Sequence, residues 1–421
     1  MQVYLVGGAV RDELLDIKGS DRDYVVVGAT VDDLLKLHYR QVGRDFPVFL
    51  HPVTHEEYAL ARTERKQGHG YTGFICDFHP GVTLEEDLKR RDLTINAIAR
   101  DSDGELIDPF NGISDLNAKI LRHVSPAFSE DPLRVLRVAR FYARFFKLGF
   151  NIAPETLALM HEMSASGELS TLTPERVFIE MEKALKTDAP EEFFMVLHQV
   201  GALKYILPEV DQLFGVPGPA KWHPEIDSGI HTLMTVKAVA ALTSDPVTRF
   251  AMLMHDVGKA RTPKEQWPHH RHHNELGIQP LKEACSRLHV PHEYAELAYV
   301  VVLYHNQFHD LAAGGAEGIV RLFEALDAYR RPNRILPYLY CCKADFLGRK
   351  GFEKAPFPRF DIALEMFNLT KQVTAAPFVK EGLKGPDIAK AIHERRVALI
   401  NDYILTLPDD MLADRKPPVL S

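Results

Sequence analysis

Two aspartates one residue apart, Asp21-Arg22-Asp23, stand directly before the apolar run Tyr24-Val25-Val26-Val27. Side chains two apart on a strand point to one face, so a strand here sets both carboxylates on the same side. Carboxylate oxygens suit a hard divalent ion such as Mg²⁺, which also takes phosphate oxygens. Two such ions can activate a hydroxyl and neutralise a leaving phosphate. Nine residues upstream, Gly7-Gly8-Ala9-Val10-Arg11-Asp12 follows the run Val3-Tyr4-Leu5-Val6. A glycine turn between strand and helix offers backbone N–H groups and a helix N-terminus to an anion, and Gly8 permits close approach of a phosphate. Either element alone is common in proteins of other function; the ordered pair is far more specific.

Two basic features follow. Lys89-Arg90-Arg91-Asp92-Leu93-Thr94-Ile95-Asn96-Ala97 is, by itself, a basic cluster. In Glu130-Asp131-Pro132-Leu133-Arg134-Val135-Leu136-Arg137-Val138-Ala139-Arg140, residues Asp131, Arg134, Arg137, Arg140 and Arg144 recur every three or four positions. On a helix they form one polar stripe, with Leu133, Leu136 and Phe141 on other faces. Its excess of one sign of charge points to an anionic ligand.

The order GGAVRD, DRD, RRDLTINA and EDPLRVLRVAR resembles the polymerase-beta-like nucleotidyltransferase superfamily. Within it, the order is similar to the bacterial-type, class II branch of the tRNA nucleotidyltransferases. That resemblance implies that Asp21 and Asp23 are catalytic Mg²⁺ ligands, that Arg91 reaches the triphosphate, and that Gly8 and Arg11 lie in the nucleotide site. It also implies that Asp131 and Arg134 read the incoming base, and a physical reason can be given. Cytosine and adenine present an amino donor beside a ring-nitrogen acceptor, so a carboxylate beside a guanidinium satisfies both and repels uracil and guanine. Arg137 and Arg140, one and two turns on, are then placed as multidentate donors to the triphosphate. The expected partners are tRNA, ATP and CTP, and the implied activity is addition of CCA to the tRNA 3′ end. Such sites often use a third carboxylate; the sequence leaves open Asp77, Asp87 or none.

A second constellation lies further on. His255-Asp256 ends the helical pattern RFAMLMHDVGK, with Gly258 as its expected stop and Lys259 facing the helix dipole. Together with His231 and Asp345 the ordered set H…HD…D resembles the HD superfamily of metal-dependent phosphohydrolases. Imidazole and carboxylate ligands suit Ni²⁺ or another divalent transition metal that activates water against a phosphate ester. The full chain is similar to tRNA nucleotidyltransferases with an appended HD domain, which implies phosphatase, 2′-nucleotidase and 2′,3′-cyclic phosphodiesterase activities. His269, His270, His272, His273, His305 and His309 are open between extra ligands and surface or capping roles. Competing readings are a poly(A) polymerase, and an RNA-binding HD phosphohydrolase with an inactive head.

The elements that must position these residues change character along the chain. The first ~125 residues mix short apolar runs with turns; from Asp131 apolar residues recur at three and four, so the rest is nearly all helix. The expected class is α+β: a small polymerase-beta-like α/β nucleotidyltransferase head on a long all-α body that includes an HD domain. The expected divisions are a head over 1–125, a helical neck and body over 126–225, the HD domain over 226–350 and a helical tail over 351–421. The segment 214–227 is the expected linker, with a weaker boundary at 348–360, and the loops 66–74 and 79–87, reading as poor in apolar anchors, are open between covers over a site and plain solvated connections.

The 421 residues suffice for several cores at 46% hydrophobic content. No run approaches a membrane span, no leader is evident and the four cysteines lack CxxC spacing, so a cytoplasmic protein with reduced thiols and no membrane partner is expected. The net charge of −8 argues against a surface that binds nucleic acid everywhere and leaves room for a local basic face. The oligomeric state, monomer or homodimer, is left open.

Overall fold

A computed structural model describes residues 1–19, 21–42, 48–66, 74–220, 225–308, 311–408 and 411. The chain divides into two compact units, Met1–Ala184 with Glu192–Ile206, and Leu185–Glu191 with Leu207–Ser421.

The first unit opens with a mixed sheet in the order β3-β4-β5-β2-β1-β8-β9. Its strands are β1 (Gln2–Val6), β2 (Asp23–Val27), β3 (Arg40–Gln41), β4 (Val48–Leu50), β5 (Glu57–Leu60), β8 (Ala99–Arg100) and β9 (Leu106–Ile107). A separate ribbon pairs β6 (Thr63–Lys66) with β7 (Phe74–Asp77). Within the seven-stranded sheet all pairings are antiparallel except β2 with β5, which run parallel. Alternation along β2 divides the core. Val25 packs with Val6, Ala61, Leu84 and Leu88 on the side covered by α3 (Leu84–Lys89), whereas Val26 packs with Leu34, Phe49 and Leu60 on the side covered by α2 (Val31–Lys36). α1 (Gly8–Leu14) buries Ala9 and Val10 against Leu5 and Ile98. The segment 79–87 carries apolar anchors after all: Val82 and Leu84 are buried, and Thr83 with Glu86 forms a capping box that starts α3. It is part of the head core and not a cover. The other loop, 66–74, lies outside the described residues apart from its two ends.

After α4 (Gly112–Ala118) the chain is helical, as its periodicity predicts: α5 (Leu133–Phe145), α6 (Pro154–Ala165), α7 (Pro174–Leu185), α8 (Pro190–Gln199), α9 (Leu203–Ile206) and α10 (Pro208–Asp211). The second unit continues with α11 (Ser228–Leu242), α12 (Pro246–Met254), α13 (His273–Leu276), α14 (Ile278–Arg287), α15 (His292–Tyr304), α16 (Leu311–Ala325), α17 (Ile335–Leu347), α18 (Arg359–Thr370), α19 (Ala376–Lys380) and α20 (Pro386–Ile404). α12 is central. Asp245 caps it by accepting from Val247 and Thr248 N–H, Pro246 opens it, and five consecutive residues, Phe250 to Met254, are buried. In the segment 214–227, Phe214 fills the space beneath Gly229, where a Cβ would stand 2.5 Å from its ring, and Asp227 caps α11 while accepting from Gly215 N–H. No described helix is long and apolar enough to cross a membrane. The four cysteines are free thiols.

Candidate functional sites in the head and the HD region

In the head, β2 opens at Asp23, with Asp21 just before the strand. Asp23 is the register partner of Val6 on β1 and of Glu57 on β5. Val25 and Ala61, which follow Asp23 and Glu57 at even spacing, both pack in the core under α3, so the two carboxylates share that face. Burial, then Glu57, then Asp21 raise the Asp23 carboxyl above its ordinary value, and Arg91 acts against them. This crowding of like charge is what a divalent cation relieves, so the donors fit Mg²⁺ or a similar hard ion.

Gly7, at the end of β1, has φ +67°, and a Cβ there would stand 2.8 Å from Arg91 Nη1. The turn can therefore lie against Arg91 only as glycine. Arg91 donates to Asp87 Oδ2 at 3.3 Å and to the Asn96 carbonyl at 3.4 Å. Asp87 is fully buried, accepts from Arg62 N–H and binds Arg90 as well. It positions both arginines. Asp77 lies on the ribbon opposite Thr63, 3.8 Å from His79. Glu57, which sequence reasoning missed, is the carboxylate paired in register with Asp23.

Three arginines of α5 are each engaged by a carboxylate. Arg137 Nε donates to Asp92 Oδ2 at 2.8 Å, Arg140 Nε to Glu180 Oε2 at 2.5 Å, and Arg144 Nη2 to Asp12 Oδ2 at 2.8 Å. Burial alone would raise Asp92, but Arg137, Asn96 and the Leu93 N–H hold it well below the carboxylate range. Asp131 accepts from Leu133 N–H at 3.0 Å and from Arg176 Nη2 at 3.0 Å. Arg176 and Glu180 lie one turn apart on α7, so one helix face holds both Asp131 and Arg140. Neither was marked by the sequence patterns used above.

Two expected nucleotide residues have other duties. Arg11 is 3% exposed, pairs with Asp12 at 2.7 Å, donates to Asn96 Oδ1 and stacks on Phe141 and Phe145 at 5.1 Å. It underlies Gly8, whose Cβ would stand 3.6 Å from Arg11 Nη2, as a support and not as an exposed donor. Arg134 is buried and donates to the Ala127 and Arg90 carbonyls, at 2.7 and 2.5 Å. The structure thus ties Arg134 to the segment bearing Arg91.

In the HD region His231 stands in the first turn of α11, His255 caps the C-terminus of α12, Asp256 follows it and Asp345 lies near the end of α17. The four are brought together, all nearly fully buried. His231 Nε2 is 3.0 Å from Asp345 Oδ1 and 3.9 Å from Asp256 Oδ2; His255 Nε2 is 3.1 Å from Asp256 Oδ2 and 3.9 Å from Asp345 Oδ1. His231, His255 and Asp345 place ligand atoms within 4.8 Å of one another, and so do His255, Asp256 and His305. His255 Nε2 and both Asp256 oxygens are buried without a well-formed hydrogen bond. Nitrogen and oxygen donors left unsatisfied in a buried cluster fit a divalent transition metal.

Residues around the cluster orient it. Glu225 Oε1 lies 2.9 Å from His231 Nδ1, and the Met252 carbonyl 2.7 Å from His255 Nδ1. Burial alone would lower His231, but Asp345 and Glu225 raise it. Lys259 does not face a helix dipole: it is buried, with Nζ 2.6 Å from Asp256 Oδ2. Gly258 is not a helix stop either. Its Cβ would stand 1.8 Å from the His273 carbonyl, so glycine lets the α13 backbone close on the site. Of the other histidines, His273 and His305 reach Asp256, at 3.5 and 3.7 Å. His270 is buried between Thr262 and the Pro217 carbonyl, whereas His269 and His272 are exposed. His309 lies outside the described residues.

Three known family models match successive parts of the chain. The poly A polymerase head domain matches residues 3–122, the probable RNA and SrmB-binding site of polymerase A matches 149–214, and the HD domain matches 229–344. The chain therefore carries a polymerase head domain of this type with a mixed sheet, followed by a mostly helical body that contains an HD domain. Its fold is that of the CCA-adding enzymes. An apo CCA-adding enzyme aligns at 20% identity over 96% of this chain and 91% of that one, with a TM-score of 0.64. The Bacillus stearothermophilus CCA-adding enzyme in complex with CTP aligns at 23% identity over 95% and 89%, with a TM-score of 0.63. The Thermotoga maritima CCA-adding enzyme complexed with tRNA aligns at 18% identity over 97% and 92%, with a TM-score of 0.62.

Proposed function

We propose that the head transfers CMP, CMP and AMP from CTP and ATP to the 3′ end of tRNA, without a nucleic-acid template. The observation that carries the reading is the convergence of Asp23, its register partner Glu57, the Gly7 turn and Arg91 in one corner of the sheet. The matches to the polymerase head family and to CCA-adding folds, among them structures with CTP and with tRNA, support it.

Asp21, Asp23 and Glu57 would hold Mg²⁺, which would lower the barrier by withdrawing charge from the 3′-hydroxyl and from the departing pyrophosphate. The chain's own groups position the rest. Gly8 admits the phosphates over the start of α1, and Arg91 donates to them from the other side. Arg137 and Arg140, held in place by Asp92 and Glu180, supply further charge-assisted donors. Asp131, fixed by Arg176, accepts from the exocyclic amino group shared by cytosine and adenine, and Arg134 fixes the loop opposite. The 3′-oxygen then forms its bond to the α-phosphorus as the bond to pyrophosphate breaks, in line. Asp21→Ala or Asp23→Ala should abolish incorporation while circular dichroism and melting stay close to wild type; a fully active Asp23→Ala enzyme removes this reading.

A poly(A) polymerase is the second reading, because the head family bears that name. It predicts long tails from ATP alone. For the HD domain we infer metal-dependent hydrolysis of phosphate esters, with His231, His255, Asp256 and Asp345 as ligands of Ni²⁺ or a similar ion. Phosphatase, 2′-nucleotidase and 2′,3′-cyclic phosphodiesterase activities are the expected forms. Loss of all three in His255→Ala/Asp256→Ala, with nucleotide addition retained, is the expected result; hydrolysis that survives places the site elsewhere.

A further inference from the structure

Two of the expected HD ligands are braced by charged residues from outside the stretch that the HD family matches, residues 229–344. Asp345 lies just beyond that stretch, and the buried Arg349 brings Nη2 to 3.9 Å from its Oδ2. On the other side Glu225 precedes the stretch and places Oε1 2.9 Å from His231 Nδ1. The Glu225 side chain is 3% exposed, so water screens its charge little and it acts on the ring at close range.

Local constraints from two turns put Glu225 there. Its carbonyl accepts from Asp227 N–H at 2.7 Å, and Asp227 in turn caps α11 by accepting from Ile230 N–H at 2.9 Å. This tight turn sets Glu225 beside the start of the helix that carries His231. Its other carboxylate oxygen, Oε2, accepts from Lys350 N–H at 3.2 Å. That donor is in reach because Gly348 lets the end of α17 lie on α11; a Cβ at 348 would stand 2.6 Å from Thr235 Cγ2. One oxygen anchors the carboxylate and the other faces the imidazole.

An ionised carboxylate only accepts, so Glu225 holds the His231 proton on Nδ1 and leaves the Nε2 lone pair for an ion. Nε2 is the nitrogen that faces the ligand cluster, 3.0 Å from Asp345 Oδ1 and 3.9 Å from Asp256 Oδ2. Negative charge behind the ring also makes Nε2 the stronger donor. We propose that Glu225 is a positioning residue of HD hydrolysis, acting through His231, and that the turns 225–227 and 348–350 are parts of that site. The proposal rests on the HD metal reading and adds the residue that sets the affinity of His231 for the ion.

The test follows hydrolysis of 2′,3′-cyclic AMP by the full chain, stripped of metal and then titrated with Ni²⁺. Glu225→Ala should raise the Ni²⁺ concentration for half-maximal rate by about 10- to 100-fold, the usual loss on removing the partner of a ligating histidine. At saturating Ni²⁺ its kcat and its KM for the cyclic nucleotide should return close to wild type. Glu225→Gln keeps the size and an acceptor for Nδ1 without the charge. It should fall between Glu225→Ala and wild type in Ni²⁺ requirement, with a metal-free melting curve like that of wild type, which a packing role alone would not produce. A Ni²⁺ requirement unchanged in both variants, or a loss of kcat that no Ni²⁺ restores, overturns the role of Glu225 and leaves the HD reading in place. No metal-dependent hydrolysis by the wild type overturns both.

Discussion

Asp23 and Glu57 face each other across the parallel pairing of β2 and β5, with their side chains on the sheet face covered by α3. The pairing joins residues 34 positions apart (57 − 23) and brings a further carboxylate beside Asp23. Glu57→Gln keeps the size and removes the charge. It should lower kcat for nucleotide addition by about 10²-fold or more, the scale of losing one electrostatic partner of a developing charge. Fold and nucleotide affinity should change little, as read by melting and by CTP titration. Wild-type kcat would remove Glu57 from the site.

Base choice should depend on α7 as well as on α5. Arg176 holds Asp131 at 3.0 Å, so Arg176→Ala frees the carboxylate from its fixed direction. Both Asp131→Ala and Arg176→Ala should reduce the preference for CTP over UTP by about 1–3 kcal/mol, roughly tenfold to a hundredfold, in single-nucleotide incorporation. An unchanged ratio in Asp131→Ala would exclude it from base reading.

Gly258→Ala separates the two chemistries. The added Cβ meets the His273 carbonyl at 1.8 Å, and backbone there must move. A cost of about 1–3 kcal/mol in the melting of the second unit is expected from overpacking. Phosphate-ester hydrolysis should fall steeply and nucleotide addition by the head should persist; equal loss of both would contradict separate sites.

The docking of α20 on α16 should weaken in alkali. His393 contacts Glu324 Oε1 at 3.1 Å and Glu317 at 3.0 Å, with Arg396 3.8 Å from Glu324 and Arg321 2.9 Å from Glu317. The hydrogen bond to Glu324 above all, with Glu317, raises His393 above its ordinary value. A group whose folded pKa is raised contributes fully below its unfolded value of about 6.5, and the contribution disappears as pH rises through the folded value. The melting difference between wild type and His393→Gln should therefore be present at pH 6 and close by pH 9. A gap that widens with pH would contradict the charged bridge.

The parts of both sites carried on contiguous motifs were legible in the residues: the Gly7–Gly8 turn, Asp21 and Asp23, the α5 stripe, and His255-Asp256 at a helix end. Periodicity also separated the α+β head from the helical body. What escaped was supplied by neighbours in space. Glu57 required the register of β2 on β5, which alternation within one strand does not specify, although Glu57, Ala59 and Ala61 mark its face. Arg176, Glu180 and Glu225 each act across a helix boundary. The anchoring of 79–87 was in reach, since Thr83 and Glu86 carry the capping-box spacing before an apolar position. Gly258 and Lys259 were read as helix-end chemistry because their partners, the His273 backbone and the Asp256 carboxylate, become neighbours only when α12 and α13 pack.

The central claim is CCA addition, and it is tested most directly by giving the protein and Mg²⁺ a tRNA transcript that lacks its 3′ CCA. CTP and ATP are supplied singly and together, and product lengths are read at nucleotide resolution. Two residues from CTP alone, one more when ATP follows, and no further growth is the predicted result. A long tail from ATP alone would contradict it in favour of a poly(A) polymerase, and no extension under any condition would contradict both.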